Sequence, residues 1–111
     1  MTITYKILAQ STPALLSNTT VYTVPAGNSA VISTVSICNL TGTAGVLSLA
    51  AVPSGSTLAN LHYFTRNQTI ASQDTLLLTL GITLAAGDTI VANSATSGSN
   101  VAVAVWGSEV Y

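Results

Sequence analysis

The segment Val-Ala-Val-Ala-Val-Trp, residues 101–106, alternates valine with alanine and tryptophan. Because successive side chains of a strand point to opposite faces, the valines share one face and Ala102, Ala104 and Trp106 share the other. Both faces are apolar, which predicts a strand that is covered on both sides. The segment therefore favours an all-β domain in which layers of strands pack together.

The same two-residue period recurs along the chain. Ile3, Tyr5 and Ile7 fall on one face of a first predicted strand. Residues 75–82 place four aliphatic side chains on one face, Leu76, Leu78, Leu80 and Ile82, with Thr75 and Thr79 opposite. Further strands are predicted over residues 20–24, 30–38, 46–52, 61–64, 68–71 and 89–93. No window has a convincing helical period, and residues 57–60 are expected to form one helical turn at most.

Clusters of Gly, Pro, Asn, Asp and Ser separate the predicted strands, and each is typical of a turn. They fall at residues 25–28, 41–45, 53–56, 86–88 and 97–100. Parallel strands need long crossover connections, which these short intervals do not provide, so the strands must be antiparallel. We predict that residues 1–111 form a single domain, an antiparallel β-sandwich of about eight short strands that is either jelly-roll-like or a flattened barrel.

The chain is nearly free of charge, which argues against most kinds of chemistry. It carries two Lys or Arg, three Asp or Glu and one His, and residues 7–65 contain no charged residue. Catalysis usually needs titratable groups placed against one another, so we predict no enzyme, no catalytic residues and no cofactor. With one Cys and one His, neither a disulfide nor a zinc cluster is expected, and no metal site is predicted.

Charge and hydropathy also limit the partners. A formal net charge of −1 leaves Lys6 and Arg66 as the only groups that could neutralise phosphates, so nucleic acid is not an expected partner. Mean hydropathy is +0.61, but no span approaches the roughly 20 continuous apolar residues of a membrane helix, and no membrane partner is expected. The amino-terminal residues do not read as a secretory signal, so we expect the product to stay in the cytoplasm, where it is made.

The remaining reactive side chains have ordinary interpretations. His62 lacks any local signature of a nucleophilic triad, and Asp74 and Asp88 lie where turn residues are expected. Cys38 ends a β-branched run and is expected to be a small buried side chain.

Two places carry candidate partner contacts. The first is residues 61–66, where Tyr63 and Arg66 are residue types favoured at interface hot spots, although strict alternation would separate Tyr63 from His62 and Phe64. The second is the carboxyl-terminal region, where Trp106 and Tyr111 are aromatic groups able to anchor a neighbour. A surface with so few charges also has little self-repulsion, which favours permanent association.

Four phrases of the sequence, in this order and spacing, resemble small all-β virion structural proteins of tailed bacteriophages, especially cyanophages. Residues 20–27 read TVYTVPAG, residues 32–39 ISTVSICN, residues 81–90 GITLAAGDTI and residues 106–110 WGSEV. The resemblance covers about residues 5–110. In that family a basic residue often follows the Asn of the second phrase, whereas Leu40 stands here, and this departs from the pattern.

The resemblance implies a capsid decoration (cement) protein that stabilises the capsid lattice by protein-protein contacts. Its partners would be its own copies, in a homotrimer, and the major capsid protein or tail proteins, and its location would be the virion. The alternative is a structural component of the tail or baseplate, or a carbohydrate-binding module for host attachment in which Tyr63, Arg66 and Trp106 contact sugar.

Overall fold

The computed structural model describes residues 2–12, 18–94 and 101–111. Within these ranges the chain forms eight strands and one short 3-10 turn, in the order β1 Ile3–Ser11, β2 Asn18–Thr23, β3 Ser29–Asn39, β4 Gly45–Val52, the turn Asn60–His62, β5 Tyr63–Ile70, β6 Thr75–Leu84, β7 Thr89–Ser94 and β8 Val101–Val110. The predicted cluster of turn residues at 97–100 lies outside the described residues.

The strands form two antiparallel sheets of four. Sheet I has the order β1-β8-β3-β6 and sheet II the order β2-β7-β4-β5. The pairings are nested, since β1 pairs with β8, β2 with β7, β3 with β6 and β4 with β5. The predicted antiparallel β-sandwich of about eight strands is therefore confirmed.

The core lies between the two sheets and is built from the alternating side chains that the sequence indicated. Its fully buried members come from both sheets, and the largest are Ile32, Ile37, Leu47, Leu49 and Ile90. Val101, Val103 and Val105 of β8 also face this core, as does Leu84 at the end of β6, whereas the other inward side chains of β6 are only partly buried because β6 is an edge strand. Burial of such side chains contributes about 1.5–3 kcal/mol each and is the main force holding the sheets together.

Three strands of sheet I are irregular at neighbouring positions. Leu8 on β1 and Ser33 on β3 are extra residues with respect to β8, and Leu80 and Gly81 on β6 oppose Ser33 alone. An extra residue shifts the alternation of a strand by one, so Ile32 and Val35 both face the core despite their spacing of three. These irregularities form one line across the sheet.

Two of the weaker strand predictions need correction. The segments 61–64 and 68–71 are one strand, β5, and this strand begins at Tyr63 because the 3-10 turn occupies the preceding residues. The helical turn itself lies about three residues later than predicted. His62 ends the turn, where its Nδ1 accepts a hydrogen bond of 2.9 Å from the amide of Ala59.

A buried amide organises one end of the sandwich. Asn39, at the end of β3, donates from Nδ2 to the carbonyls of Thr43, Ile70 and Ala71 at 2.8, 3.2 and 3.3 Å. Its Oδ1 accepts from the backbone amide and the hydroxyl of Thr41. Asn39 is 1% exposed, so these bonds satisfy a polar group that would otherwise be costly to bury.

Candidate functional site

The most distinctive surface is the outer face of sheet I, which we call the open face. It is defined by its large side chains Ile3, Tyr5, Ile7, Val31, Leu77 and Trp106. Tyr5 is 80% exposed and Leu77 64% exposed, and Trp106 is half-buried. Clustered exposed apolar groups of this kind usually mark an interaction site.

The open face arises from the register of sheet I. Val31 lies opposite Ser108, and Ser108 lies opposite Tyr5, so these three residues form a row across β3, β8 and β1. The next row on the same face contains Trp106 and Ile7. Their neighbours Ala30 and Ile32 point the other way and are fully buried.

The open face corrects the prediction for β8. Val101, Val103 and Val105 are buried as expected, but Ala102, Ala104 and Trp106 remain half-exposed. Both sides of this strand are apolar in sequence, and one of them is left uncovered by the described part of the chain. Cys38, which was expected to be buried, lies on the same uncovered side and is half-exposed.

A shallow groove of about 600 Å³ runs along the open face. Tyr5, Ile7, Val31 and Trp106 form its apolar walls, and Ser33 and Ser108 supply hydroxyls. Ser33 donates to the carbonyl of Trp106 at 3.2 Å. The groove therefore offers aromatic and aliphatic surface with few polar groups.

Four of the five charged residues lie away from the open face. Arg66 is on β5 of sheet II, Asp74 and Asp88 are in turns, and Glu109 points between the sheets and is 3% exposed. Lys6 turns its side chain toward Glu109, with Nζ 2.6 Å from Oε1. Lys6 also lines the groove, but its charge is paired, so the open face presents no unpaired charge.

Glu109 is the centre of a small polar cluster that links the sheets. Tyr22 of sheet II donates its hydroxyl to Oε2 of Glu109 at 2.6 Å, while Lys6 of sheet I pairs with the other oxygen. Hydrogen bonds from Lys6 and then Tyr22 hold the pKa of Glu109 below its ordinary value of 4.5. Burial, followed by the bond to Glu109, raises the pKa of Tyr22, and the bond to Glu109 raises the pKa of Lys6. The cluster satisfies a buried carboxylate and acts as a structural link.

Sequence reasoning missed this cluster because its members are distant along the chain. The available signal was that Lys6 and Glu109 are charges of opposite sign within predicted strands near the two ends of the domain. Only the pairing of β1 with β8 brings them together.

The four predicted contact residues fall into two separate places. Arg66 lies over the ring of Tyr63, with its guanidinium carbon 4.5 Å from the ring centroid, and also donates to Asn60 at 3.2 Å. Phe64 is an extra residue of β5 with respect to β4, and this irregularity between Tyr63 and Thr65 allows the contact despite the spacing of three. Trp106 and Tyr111 belong instead to sheet I and its carboxyl-terminal end.

Tyr111 is tied to the amino-terminal strand. Its hydroxyl lies 3.0 Å from the hydroxyl of Thr4, and its amide donates to the carbonyl of Thr2 at 2.9 Å. The side chain is 54% exposed, and its contact with Thr4, which lies opposite Glu109, places it on the other side of sheet I from the open face.

Asp74 and Asp88 act as turn residues, as their positions suggested. Asp88 accepts from the amides of Ser54 and Ala85 at 2.8 and 2.9 Å, and Asp74 accepts from Thr75 at 2.8 Å. Among the described residues no group of three His, Cys, Asp or Glu side chains is placed to hold a metal. The described residues also contain no helix long and apolar enough to span a membrane.

Comparison with known proteins does not extend these observations. No protein-family model, curated protein or solved structure matches the chain.

Proposed function

We propose that this protein is a non-enzymatic structural protein of a bacteriophage virion, and that it acts as a capsid decoration (cement) protein. The observation that carries the proposal is the open face, a sheet surface with large exposed apolar side chains and no unpaired charge. Such a surface suits permanent contact, since its burial removes apolar area from water without stranding a charge. The proposed location, on the capsid of a virion, rests on the four sequence phrases that resemble phage virion proteins.

The architecture supports a mechanical role. A sandwich whose strands pair as β1 with β8, β2 with β7, β3 with β6 and β4 with β5 is what results when one long hairpin is rolled up, and we interpret it as a jelly roll. Sheet I presents a firm surface because both inner strands are held on two sides. The resemblance further implies a homotrimer that contacts the major capsid protein.

Self-association and salt dependence test the mechanical part of the proposal. We expect the purified chain to form an oligomer whose sedimentation coefficient is unchanged between roughly 0.05 and 1 M salt, because apolar contacts are not screened. An antibody raised against the chain should label intact particles from the source of the sequence. Monomers at micromolar concentration, together with particles that lack the protein, would refute the proposal.

One observation favours a second candidate, a carbohydrate-binding component of the tail or baseplate. The groove beside Trp106 and Tyr5 has a volume within the range of about 300–1,000 Å³ of small-molecule sites. Sugar rings stack on aromatic faces, and Ser33 and Ser108 supply hydroxyls nearby. Sugar contact by Trp106 together with Tyr63 and Arg66 is not part of this candidate, because those residues belong to different sheets.

A glycan array distinguishes the two candidates. Binding that disappears in Trp106→Ala, with unfolding unchanged, and persists in Arg66→Ala would favour the carbohydrate-binding module. A protein that gives no glycan signal and remains oligomeric favours the decoration protein.

A further inference from the structure

We infer that the open face is the contact between copies of this chain, and that Tyr5 of one copy enters the groove beside Trp106 of a neighbouring copy. The inference rests on the proposed function, since it names the partner of the surface on which that function depends. It begins with β8, whose two sides are both apolar. One side is buried by the core, and the other is a band of Ala102, Ala104 and Trp106 that the described chain leaves half-exposed.

Charge favours a second copy as the occupant. Four of the five charged residues lie away from the open face, and the fifth, Lys6, lines the groove with its ammonium paired to Glu109. The open faces of neighbouring copies can therefore meet without an unpaired charge. A partner with a charged surface would lose hydration on this face and find no opposite charge there. The open face of a second copy is therefore a better partner for this surface than a charged protein is.

The size of the open face is close to what a stable interface requires. Four strands spaced about 4.8 Å apart, with about ten residues rising roughly 3.3 Å each, present roughly 600 Å² of flat area. Side-chain relief adds to this figure, and stable complexes bury about 800 Å² on each partner. One face of one sheet is thus enough for a specific contact between copies.

The open face has both a projecting side chain, Tyr5, and a groove that could receive one. Tyr5 is the most exposed side chain of the open face at 80%, and the groove of about 600 Å³ lies directly beside it. Aromatic side chains seated in apolar recesses are common anchors of interfaces. Cys38 lies farther along the same face, where a covering copy would shield its thiol.

The test compares two variants, one with a new positive charge on the open face and one with the same charge at an exposed site away from it. Tyr5→Lys adds a cation to the open face, and Leu61→Lys adds one to the 3-10 turn, where Leu61 is 83% exposed. Both side chains are largely in solvent, so both variants should keep the wild-type far-ultraviolet circular dichroism spectrum. Self-association is measured by equilibrium sedimentation, and access to Cys38 by its labelling rate with a thiol-specific disulfide reagent.

We expect Tyr5→Lys to raise the dissociation constant of the oligomer at least about tenfold, because a buried cation would lack a partner. Labelling of Cys38 should be slow in wild type and in Leu61→Lys, and at least about tenfold faster in Tyr5→Lys. A second variant, Val31→Lys, should reproduce the result from another strand. Equal association and equal labelling in wild type and both open-face variants would overturn the inference.

The same measurements separate this inference from the proposed function. A wild-type protein that is monomeric, with rapidly labelled Cys38, yet is found on virions would overturn the inference and leave the function standing. An oligomer that Tyr5→Lys dissociates, in a protein absent from virions, would support the inference and refute the virion role.

Discussion

The outer faces of the two sheets differ in what covers them. On sheet II, the outward side chains Ser48, Ala50 and Val52 of β4 are buried at 4%, 0% and 6% exposure. The 3-10 turn contacts this strand, and the backbone amide of Asn67 donates to the Ser48 hydroxyl at 2.8 Å. On sheet I, the corresponding face carries Tyr5 and Leu77 in solvent. The chain therefore covers the outward side chains of β4 on sheet II and leaves the larger outward side chains of sheet I exposed to solvent.

This contrast indicates that apolar sequence on both sides of a strand predicts burial without saying what buries it. In β4 the second side is buried by the connection that follows the strand. In β8 the described chain offers no such connection, and we have assigned the cover to a neighbouring copy. The predictions below test this difference, from the largest expected effect to the smallest.

The first prediction concerns the close packing of β8 against β3 at Gly107, within the sheet whose outer face is exposed. A Cβ at Gly107 would lie 2.0 Å from the carbonyl oxygen of Val31, so β8 and β3 are packed too closely there for any side chain. Gly107→Ala should lower the free energy of unfolding by about 3 kcal/mol or more, measured by urea denaturation. Gly81→Ala, on the edge strand of the same sheet with no atom within 4 Å of its Cβ, is the control and should be nearly neutral. Equal midpoints for the two variants would contradict the close contact.

The second prediction concerns the link that fixes one sheet on the other. The depressed pKa of Glu109 means that its contribution to stability is present above about pH 4.5 and is lost as pH falls through the lower, folded-state value. Glu109→Gln should destabilise the protein by about 1–3 kcal/mol at pH 7 and flatten the loss of stability on acidification.

The measurement is the urea midpoint of wild type and Glu109→Gln at a series of pH values from 7 down to 3. Two parallel curves would show that Glu109 does not contribute to the pH dependence. Tyr22→Phe should give a smaller loss at pH 7, because the carboxylate keeps its ion pair with Lys6.

The third prediction removes an anchor of the cover on sheet II. Asp88 holds the amide of Ser54, at the start of the connection that covers β4, and the amide of Ala85. Asp88→Ala should cost about 1 kcal/mol and speed hydrogen exchange at Ala50 and Val52. Asp74→Ala removes an equivalent turn carboxylate whose oxygen accepts from Thr75, and it should leave exchange in β4 unchanged. If both variants exchange alike, the connection does not depend on Asp88.

The smallest effect is expected at Arg66. Its contact with Tyr63 is at an exposed site, where such interactions contribute about 0.5–1 kcal/mol. Arg66→Ala should therefore lower the free energy of unfolding by about 0.5 kcal/mol and leave self-association unchanged. Gln68→Ala, on the same strand, is the matched control. Loss of the oligomer in Arg66→Ala would move the contact between copies from sheet I to sheet II.

The sequence predicted the strands well where alternation is regular. Val101, Val103 and Val105 of β8 and Leu76, Leu78 and Leu80 of β6 indicate both a strand and its inward face, because a two-residue period has only one structural meaning. The turn roles of Asp74 and Asp88 were predictable for a similar reason, since a turn carboxylate bonds nearby amides, here those of Thr75 and Ala85. The bond from Ser54 to Asp88 depends on the tertiary structure and was not predictable.

What remained unpredicted depends on contacts between distant residues. The meeting of Tyr63 and Arg66 needs the irregular path of β5, and the link from Lys6 through Glu109 to Tyr22 needs both the sheet register and the packing of the sheets. The open face was predictable as a stripe of Ile3, Tyr5 and Ile7, but its lack of a cover is visible only in three dimensions.

The line of irregular positions across sheet I has a consequence for how this sequence can change in length. A deletion at Leu8 or Ser33 would restore strict alternation and thereby exchange the solvent and core sides of half a strand. Substitutions at these positions are therefore tolerable where deletions are not, while the turns can absorb either. When relatives of this protein are aligned, gaps should gather in the turns and be missing from this line, even where the residues themselves have diverged.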